Sequence, residues 1–485
     1  MNKVVNNIKE NHKTYLAVLL FIIILYSVAS SYSYASDTYY LEAYGYQNNA
    51  INPYIKDGRI FMTLFLYTME FLNISYKTMQ VISWLGAVSF LTIGVCFIYN
   101  TFKKVTNKDS IFQTIISICL VSSIFVAEFF IFSEYTIIMT LGIMFCCISC
   151  FFLIDFFKDK SVKSLIIAFI IGVLTSFTYQ GIVSLLVLFP IVFTFYYSKN
   201  IKDFIINNAS IAGVYAASCI TTLVFTKIMG STRVGSNFDL GVFINKIYEG
   251  TASLMVNASG FLPKYMFLII CIVTFCILLV VLLKKKINVK LLMFSIYVYV
   301  AIVIVTYVPH IMVDSNSIWI VPRSNIGLGL LPIMAIVIYY LYIKDIKVIT
   351  KTYTVVLICM YAMFYFNFNS ILIDQQKVNY ITYIETMKIK DSIQQLNYLG
   401  NQIAVFHKEN KTYQLPNTKV YGDININPFV HEWSSLAIIH LYLGSNYELV
   451  KMSSEMEVMC AKKLENEPNK NHVIIEDGIV NICMM

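Results

Sequence analysis

A polytopic α-helical membrane protein with a small extracytoplasmic α/β domain at its C-terminus is the fold class this sequence predicts. Three observations carry that reading. Hydrophobic residues make up 58% of the 485-residue chain and charged residues only 13%, about half the charged share of an ordinary soluble protein, and mean hydropathy is +0.68. Apolar runs near the roughly 20 residues that a spanning helix needs recur along most of the length. After Leu372 that hydropathy collapses into mixed polar sequence.

The basic N-terminus, MNKVVNNIKENHK, precedes an apolar run to Ala29. The run is longer than a signal-peptide core and lacks a small-x-small cleavage site, so it is expected to be a retained first helix. Apolar spans then cover Tyr15 to Tyr34, Thr78 to Asn100, Ile111 to Phe132, Thr136 to Phe157, Ser164 to Tyr179 and Gly181 to Tyr197. They continue over Phe204 to Phe225, Tyr265 to Leu283, Leu291 to Val308, Ile326 to Ile343 and Thr352 to Leu372. The expectation is about eleven transmembrane helices within a membrane domain at 1–372. No internal repeat is evident, which argues against an inverted-repeat transporter.

One segment decides the orientation. Ile60 to Leu72 is apolar but short, and Thr63, Tyr67 and Glu70 recur on it at i, i+4 and i+7, giving one polar stripe. That pattern predicts an interfacial helix rather than a spanning one. With this helix flat, the lysine loops at Lys103, Lys104 and Lys108, at Lys158, Lys160 and Lys163, at Lys199 and Lys202, at Lys284 to Lys286, and at Lys344 and Lys347 share one face. The positive-inside rule makes that face cytoplasmic, together with the N-terminus. The loop at 35–77, the segment Lys227 to Pro263, the loop His310 to Arg323 and the C-terminal domain then lie outside. The net charge of +8 thus reports lysine placement relative to a bilayer, and nucleic acid is not an expected partner.

The region 373–485 reads as a compact α/β domain of about a hundred residues. Helices are expected over Lys377 to Tyr398, Ser434 to Leu443 and Glu455 to Leu464, and short strands over Gln402 to Phe406 and His472 to Glu476. Of eleven cysteines, nine sit in apolar segments, where they serve as small packing residues. Cys146, Cys147 and Cys150 lack the partners of a metal site. Cys460 and Cys483 fall in polar sequence, and a disulfide between them is expected outside the cytosol.

Candidate chemistry concentrates on the outer face. The stretch Ser36 to Arg59 holds three carboxylates and five tyrosines. Asp37 stands just past the first helix, where a carboxylate is suited to accept a proton from a substrate hydroxyl; Glu42 follows one turn later. Asp57, Gly58 and Arg59 introduce the flat helix, at a depth where a planar guanidinium matches a headgroup-level phosphate. Glu128 lies inside an apolar span, where a carboxylate is costly and functional by default, and Glu134 sits at its outer end. Tyr179 and Gln180, at an outer turn, offer an aromatic face and an amide to a sugar. The chain has three arginines, Arg59, Arg233 and Arg323, all assigned outside, which suggests a shared phosphate site. His310 and Asp314 have nonspecific spacing and read as structural. Walker A, dinucleotide and HExxH motifs are absent, and so is an Asp-x-Asp pair for a nucleotide sugar; no cofactor and no metal centre are read from the chain. An outward site would need an activated donor already carried across in the membrane.

Asp37, the Asp57-Gly58-Arg59 step entering an amphipathic helix, Tyr179-Gln180 and the later Arg323 resemble the GT-C class of membrane glycosyltransferases. Within it, the chain is similar to the type II glucosyltransferases that modify O-antigen during serotype conversion in bacteria. The family pattern often has two adjacent acids where this chain has Asp37-Thr38. The resemblance, over Tyr15 to Leu372, implies a multi-pass enzyme of the bacterial cytoplasmic membrane that moves glucose from undecaprenyl-phosphate glucose to a surface polysaccharide or its lipid-linked precursor. It implies inversion at the anomeric carbon, Asp37 as general base, and Arg59 with Arg323 on the departing lipid phosphate; the residues themselves add Asp57 as the second catalytic candidate and Arg233 as a further phosphate ligand. Tyr39, Tyr40 and Tyr44 would stack on sugar rings, with Glu42, Glu134, Tyr179 and Gln180 in sugar or acceptor binding. It also implies a separate small flippase for the carrier. Two other classes stay open: a polysaccharide polymerase or ligase using lipid-diphosphate glycans, and a non-catalytic transporter or flippase.

Overall fold

The computed structural model describes residues 2–31, 33–44, 54–231, 238–284, 289–343, 346–407, 424–467 and 470–484. Arg233 lies outside them. The chain begins with α1 (Asn2–Leu25), the short α2 (Ser36–Tyr44), α3 (Ile60–Phe71), α4 (Tyr76–Thr106) and α5 (Ile111–Val121). It continues through α6 (Thr136–Asp159), α7 (Val162–Ser176), α8 (Leu185–Thr194), α9 (Ile201–Ile228), α10 (Leu240–Asn257), α11 (Met266–Lys284), α12 (Val289–Tyr307) and α13 (Leu331–Ile338). The 49-residue α14 (Lys347–Gln395) follows, then β1 (Gln402–His407), α15 (Glu432–Tyr442), β2 (Glu448–Leu449), α16 (Ser454–Asn466), β3 (His472–Glu476) and β4 (Ile479–Met484).

Side-chain caps set many of the helix starts. Ser75, Ser110, Ser161 and Asn200 each accept from a backbone N–H in the first turn of α4, α5, α7 and α9, satisfying a donor that the helix itself leaves open. Asn107 and Lys160 end α4 and α6 in the left-handed region.

Among the described residues seven helices are long and apolar enough to cross a membrane, and an eighth span is broken. The expected eleven spans are all helical, but Asn11–Leu25, Val162–Ser176 and Gln180–Thr194 are shorter apolar helices, under the roughly 30 Å a perpendicular crossing requires. Ile111 to Phe132 is not one helix: it bends by 49° between Ile111–Val121 and Ile124–Ile131. At the break, Tyr26 and Ser122 share a hydrogen bond of 2.8 Å, and Tyr361 donates to the Ser122 carbonyl at 2.7 Å, so neighbouring helices take up polar groups released by the bend.

The two ends of the bundle differ in chemistry. At one end Lys103 pairs with Asp109 at 3.0 Å and Lys104 with Asp155 at 2.7 Å. There Lys103 also donates to Asn11 and Lys160 to Asn207. At the other end of α4 and α6, Tyr76 meets Glu134. The lysines of the loops after α4 and α6 are therefore gathered opposite the end that carries Asp37, Arg59 and Arg323.

Two segments differ from their sequence reading. Helix α3 turns Met62, Thr63, Leu66 and Met69 inward and leaves Leu64, Tyr67 and Glu70 exposed. Thr63 is thus no part of an outward polar stripe; its hydroxyl donates to the Arg59 carbonyl at 3.2 Å, which satisfies it inside. The segment read as one long outer loop after Lys227 contains α10, capped by Asp239 at 2.7 Å from Gly241 N.

The C-terminal sheet has the order β2-β1-β4-β3, with β1 parallel to β2 and β4 and β3 antiparallel to β4. Tyr39, Ile389, Ile393, Ile403 and Ile438 form the core on one face, and Ala404, Met456, Leu464 and the Cys460–Cys483 disulfide fill the other. Helix α14 runs from the bundle through 372 into this core without a break. A boundary at 372/373 therefore falls inside a helix roughly 74 Å long.

Candidate active site

Asp37 is held by both units of the protein. Helix α14 clamps the strand-like entry to α2: Asn379 accepts from Tyr34 N at 2.8 Å and donates to Tyr34 O at 2.8 Å, while Gln375 also donates to Tyr34 O. Thr38 Oγ1 then accepts from Ala35 N at 3.0 Å and closes the first turn of α2. Asp37 sits in that turn, where the helix dipole favours a carboxylate. Its Oδ2 accepts a 2.9 Å hydrogen bond from Tyr135, whose hydroxyl also meets Tyr54.

Directly behind lies a second carboxylate. Glu134 is fully buried, and its Oε2 accepts from Tyr76 at 3.0 Å, Thr38 at 3.1 Å and Ser133 at 3.4 Å, leaving Oε1 without a partner. Burial, and then the negative charge of Asp37, push Glu134 up to about 7. The acid coupled to Asp37 is therefore Glu134, reached through Thr38, and not Glu42.

Arg59 stands at the start of α3. The turn that delivers it closes with Gly58 N on Ile55 O at 3.0 Å and Arg59 N on Tyr54 O at 2.9 Å. Gly58 has φ +77°, and a Cβ there would sit 3.0 Å from Thr226 Cγ2, so backbone strain and crowding both select glycine. The Arg59 guanidinium lies 5.3 Å from the Tyr179 ring centroid, and its buried Nε has no hydrogen-bond partner. Such an orphan cationic donor is costly unless something binds it. Asp57, whose charge acts on Arg59, is anchored toward the second cavity: Ser231 donates to its Oδ1 at 2.8 Å and Gln180 to its carbonyl at 2.6 Å.

Arg323 forms an ion pair with Glu128, and its backbone N–H donates to Glu128 Oε2 at 2.6 Å. The guanidinium lies 4.5 Å from the Phe132 ring centroid. The intramembrane carboxylate thus serves as the partner of this arginine. Gly181 permits the close approach, because a Cβ would stand 2.6 Å from the Arg323 carbonyl oxygen.

These groups face a cavity of about 540 Å³ whose wall includes Asp37, Arg59, Tyr179, Arg323, Trp319, His431 and Trp433. A second cavity of about 200 Å³ shares Arg59, Tyr179 and Trp319 and extends beside Thr222 and Thr226 of α9, past Asp57 and Gln180. No family model, no curated protein and no solved structure matches this chain. Its chemistry is therefore read from the site itself.

The structure brings Asp37, Arg59, Arg323 and Tyr179 to one cavity and Asp57 and Gln180 to its side branch. Glu134 lies just behind the wall. It places three expected sugar-stacking tyrosines elsewhere. Tyr39 is buried in the C-terminal core, stacked 4.6 Å from Tyr34. Tyr40 packs edge-on against Tyr44 and Trp433, and Tyr44 against His440. These rings attach α2 to the C-terminal unit, and Glu42 faces Tyr442 of that unit. Helix periodicity turns only Tyr39 away from the face of residue 37; Tyr40 and Tyr44 share that face but are taken up by Trp433 and His440 of the C-terminal unit.

Sequence reasoning missed Tyr54, Tyr135, Trp319, His431 and Trp433. The tryptophans carried a usable signal, since the chain has only three and two of them line this cavity. Among the described residues no group of three or more His, Cys, Asp or Glu is arranged to hold a metal ion.

Proposed function

We propose that the protein is an inverting glycosyltransferase that moves a sugar, glucose in the first instance, from a polyprenyl-phosphate donor to a glycan acceptor at the outer face of a bacterial cytoplasmic membrane. One observation supports this reading above the others: a carboxylate and an arginine whose buried Nε has no hydrogen-bond partner face the same aromatic-walled cavity at the end of the bundle away from the lysines. The resemblance to the type II O-antigen glucosyltransferases agrees with it, and the lysine-rich end is then cytoplasmic.

In this mechanism Asp37, oriented by the Tyr135 O–H that donates to its Oδ2, accepts the proton of an acceptor hydroxyl. The hydroxyl oxygen attacks the anomeric carbon, the bond from that carbon to the phosphate oxygen breaks, and the lipid phosphate departs with the electron pair. Arg59 stabilises the charge that develops there. With Arg323 already paired to Glu128, a monophosphate suits the remaining cationic capacity better than a diphosphate does. That favours a polyprenyl-phosphate sugar over the lipid-diphosphate glycans of a polymerase or ligase.

The test is transfer of radiolabelled glucose from synthetic polyprenyl-phosphate glucose by the purified protein, with lipid-diphosphate glycans as the competing donors. Asp37→Asn is expected to slow transfer by about 10²–10⁴-fold. Equal rates for the variant and wild type remove Asp37 from the mechanism, and preference for diphosphate donors replaces the proposal with the polymerase or ligase reading.

A further inference from the structure

The cavity has an order that the proposed reaction can be laid upon. Its side branch runs beside Thr222 and Thr226 of the membrane helix α9. Arg59, Tyr179 and Trp319 are common to branch and main cavity. Asp37 comes next, and His431 and Trp433 appear in the main cavity only. A lipid-linked donor carries its prenyl chain in the bilayer, so its sugar reaches Asp37 from the α9 side. An acceptor glycan extends into water, and it has only the opposite wall left.

That opposite wall is built by the C-terminal unit. His431 immediately precedes α15 and Trp433 lies in its first turn. The two rings are parallel within 9° at a centroid separation of 5.5 Å, too far for face-to-face overlap, so they are offset, and the imidazole leaves part of the indole face uncovered. Tyr40 of α2 braces Trp433 edge-on at 6.2 Å, and Trp433 still keeps 40% exposure. An indole left half in water at a cavity wall is a costly way to finish a core but a good way to hold a pyranose. The C–H groups on the apolar face of a sugar meet the negative face of the ring, while its hydroxyls remain free for polar partners.

The same unit also carries Asp37. Helix α2 is packed into the C-terminal core through Tyr39, so the residue proposed to deprotonate the acceptor and the wall proposed to hold it belong to one packed body. We infer that the His431–Trp433 pair is the stacking platform for an uncharged hexopyranose of the acceptor glycan, and that Trp319 serves the donor sugar on the membrane side. The roles of acceptor and donor rest on the transferase reading; the platform as a glycan site does not.

Two measurements on the full chain in nanodiscs test this. With polyprenyl-phosphate glucose as donor, Trp433→Ala is expected to raise the acceptor KM by about tenfold, the effect of one lost stacking contact, with the donor KM unchanged. Trp319→Ala is expected to do the reverse, and Trp433→Phe, which keeps an aromatic face, to restore most acceptor affinity. An unchanged acceptor KM in a folded Trp433→Ala, or a Trp433→Phe no better than alanine, overturns the assignment. The second measurement is saturation-transfer NMR with soluble gluco-, galacto- and rhamno-oligosaccharides, which needs no turnover. Binding by wild type that Trp433→Ala abolishes supports the platform even if no polyprenyl-phosphate sugar is turned over, in which case only the transferase reading falls. No binding by wild type to any of these glycans, or equal binding by the variant, removes the platform.

Discussion

Thr38 donates to Glu134 Oε2 at 3.1 Å, and Thr38 is the residue next to Asp37 along α2. This contact couples the half-buried carboxylate of the cavity to a fully buried one. Glu134 rises to about 7 from the ordinary carboxylate range through burial and the charge of Asp37, against the lowering effect of Tyr76 and Thr38. The folded state therefore holds a proton that the unfolded state has released over this interval. Stability from this group is fully present below about 4.5 and is lost as pH rises through about 7, by about 3 kcal/mol in all. Glu134→Gln is expected to flatten the dependence of Tm on pH between 5 and 8 and to be the more stable form at pH 8. A variant whose Tm follows wild type across that range contradicts the coupling.

Arg59 gives a prediction of opposite character. Its Nε is buried with no hydrogen-bond partner, so removing the guanidinium breaks no internal hydrogen bond at that atom. Arg59→Gln is expected to keep stability within about 1 kcal/mol of wild type while slowing the proposed sugar transfer by about 10²–10³-fold. Arg59→Lys recovers only part of the rate, because an ammonium is a point charge and loses the planar fork. Differential scanning fluorimetry and the transfer assay on the same preparations check both halves. A strongly destabilised Arg59→Gln assigns the residue to the fold instead.

What the sequence revealed here follows a physical divide. Helices written as long apolar runs were legible because composition alone specifies them in a bilayer, and Asp37 and Arg59 stood out as charges beside those runs. Glycine at 58 was legible too, and its φ of +77° gives the reason. The bend after Val121 was not, because Ser122 and Ser123 break the helix only with the help of Tyr26 and Tyr361 from distant helices. Strand β4 was missed, although Asp477-Gly478 before it, both with positive φ, is a hairpin signal. The packing of Tyr39, Tyr40 and Tyr44 was not legible for a different reason. Their polarity and position suggested a loop facing substrate, but α2 is a helix whose partner, α15, lies some 390 residues later in the chain. No local pattern encodes that packing.

The Cys460–Cys483 disulfide joins α16 to β4 across a sequence separation of 23, on the sheet face opposite the one that holds α2. Replacing both cysteines with alanine is expected to destabilise the C-terminal unit by about 2–4 kcal/mol, read as a lower denaturation midpoint. Helix α2 packs on the other face, so sugar transfer at 25 °C is expected to persist. Peptide mapping without reduction should recover the linked pair, and two alkylated thiols there would contradict it.

Arg323 and Glu128 separate structural from functional charge. The carboxylate is almost completely buried while the guanidinium keeps some exposure to the cavity. Arg323→Ala leaves Glu128 buried without its counter-ion, and a loss of about 3–5 kcal/mol is expected. The double variant Arg323→Met with Glu128→Gln removes both charges and is expected to regain most of that stability, since a buried pair contributes little net free energy beyond a well-packed neutral one. Transfer activity of the double variant then decides the role of the arginine. If Arg323 also steadies the lipid phosphate, the stable double variant is slower than wild type by about tenfold or more, a fraction of the effect of Arg59 because Glu128 already draws on its charge. Wild-type activity in a stable double variant confines the pair to holding the Pro322–Ser324 turn against the bent span, and leaves Arg59 as the cation for the proposed donor.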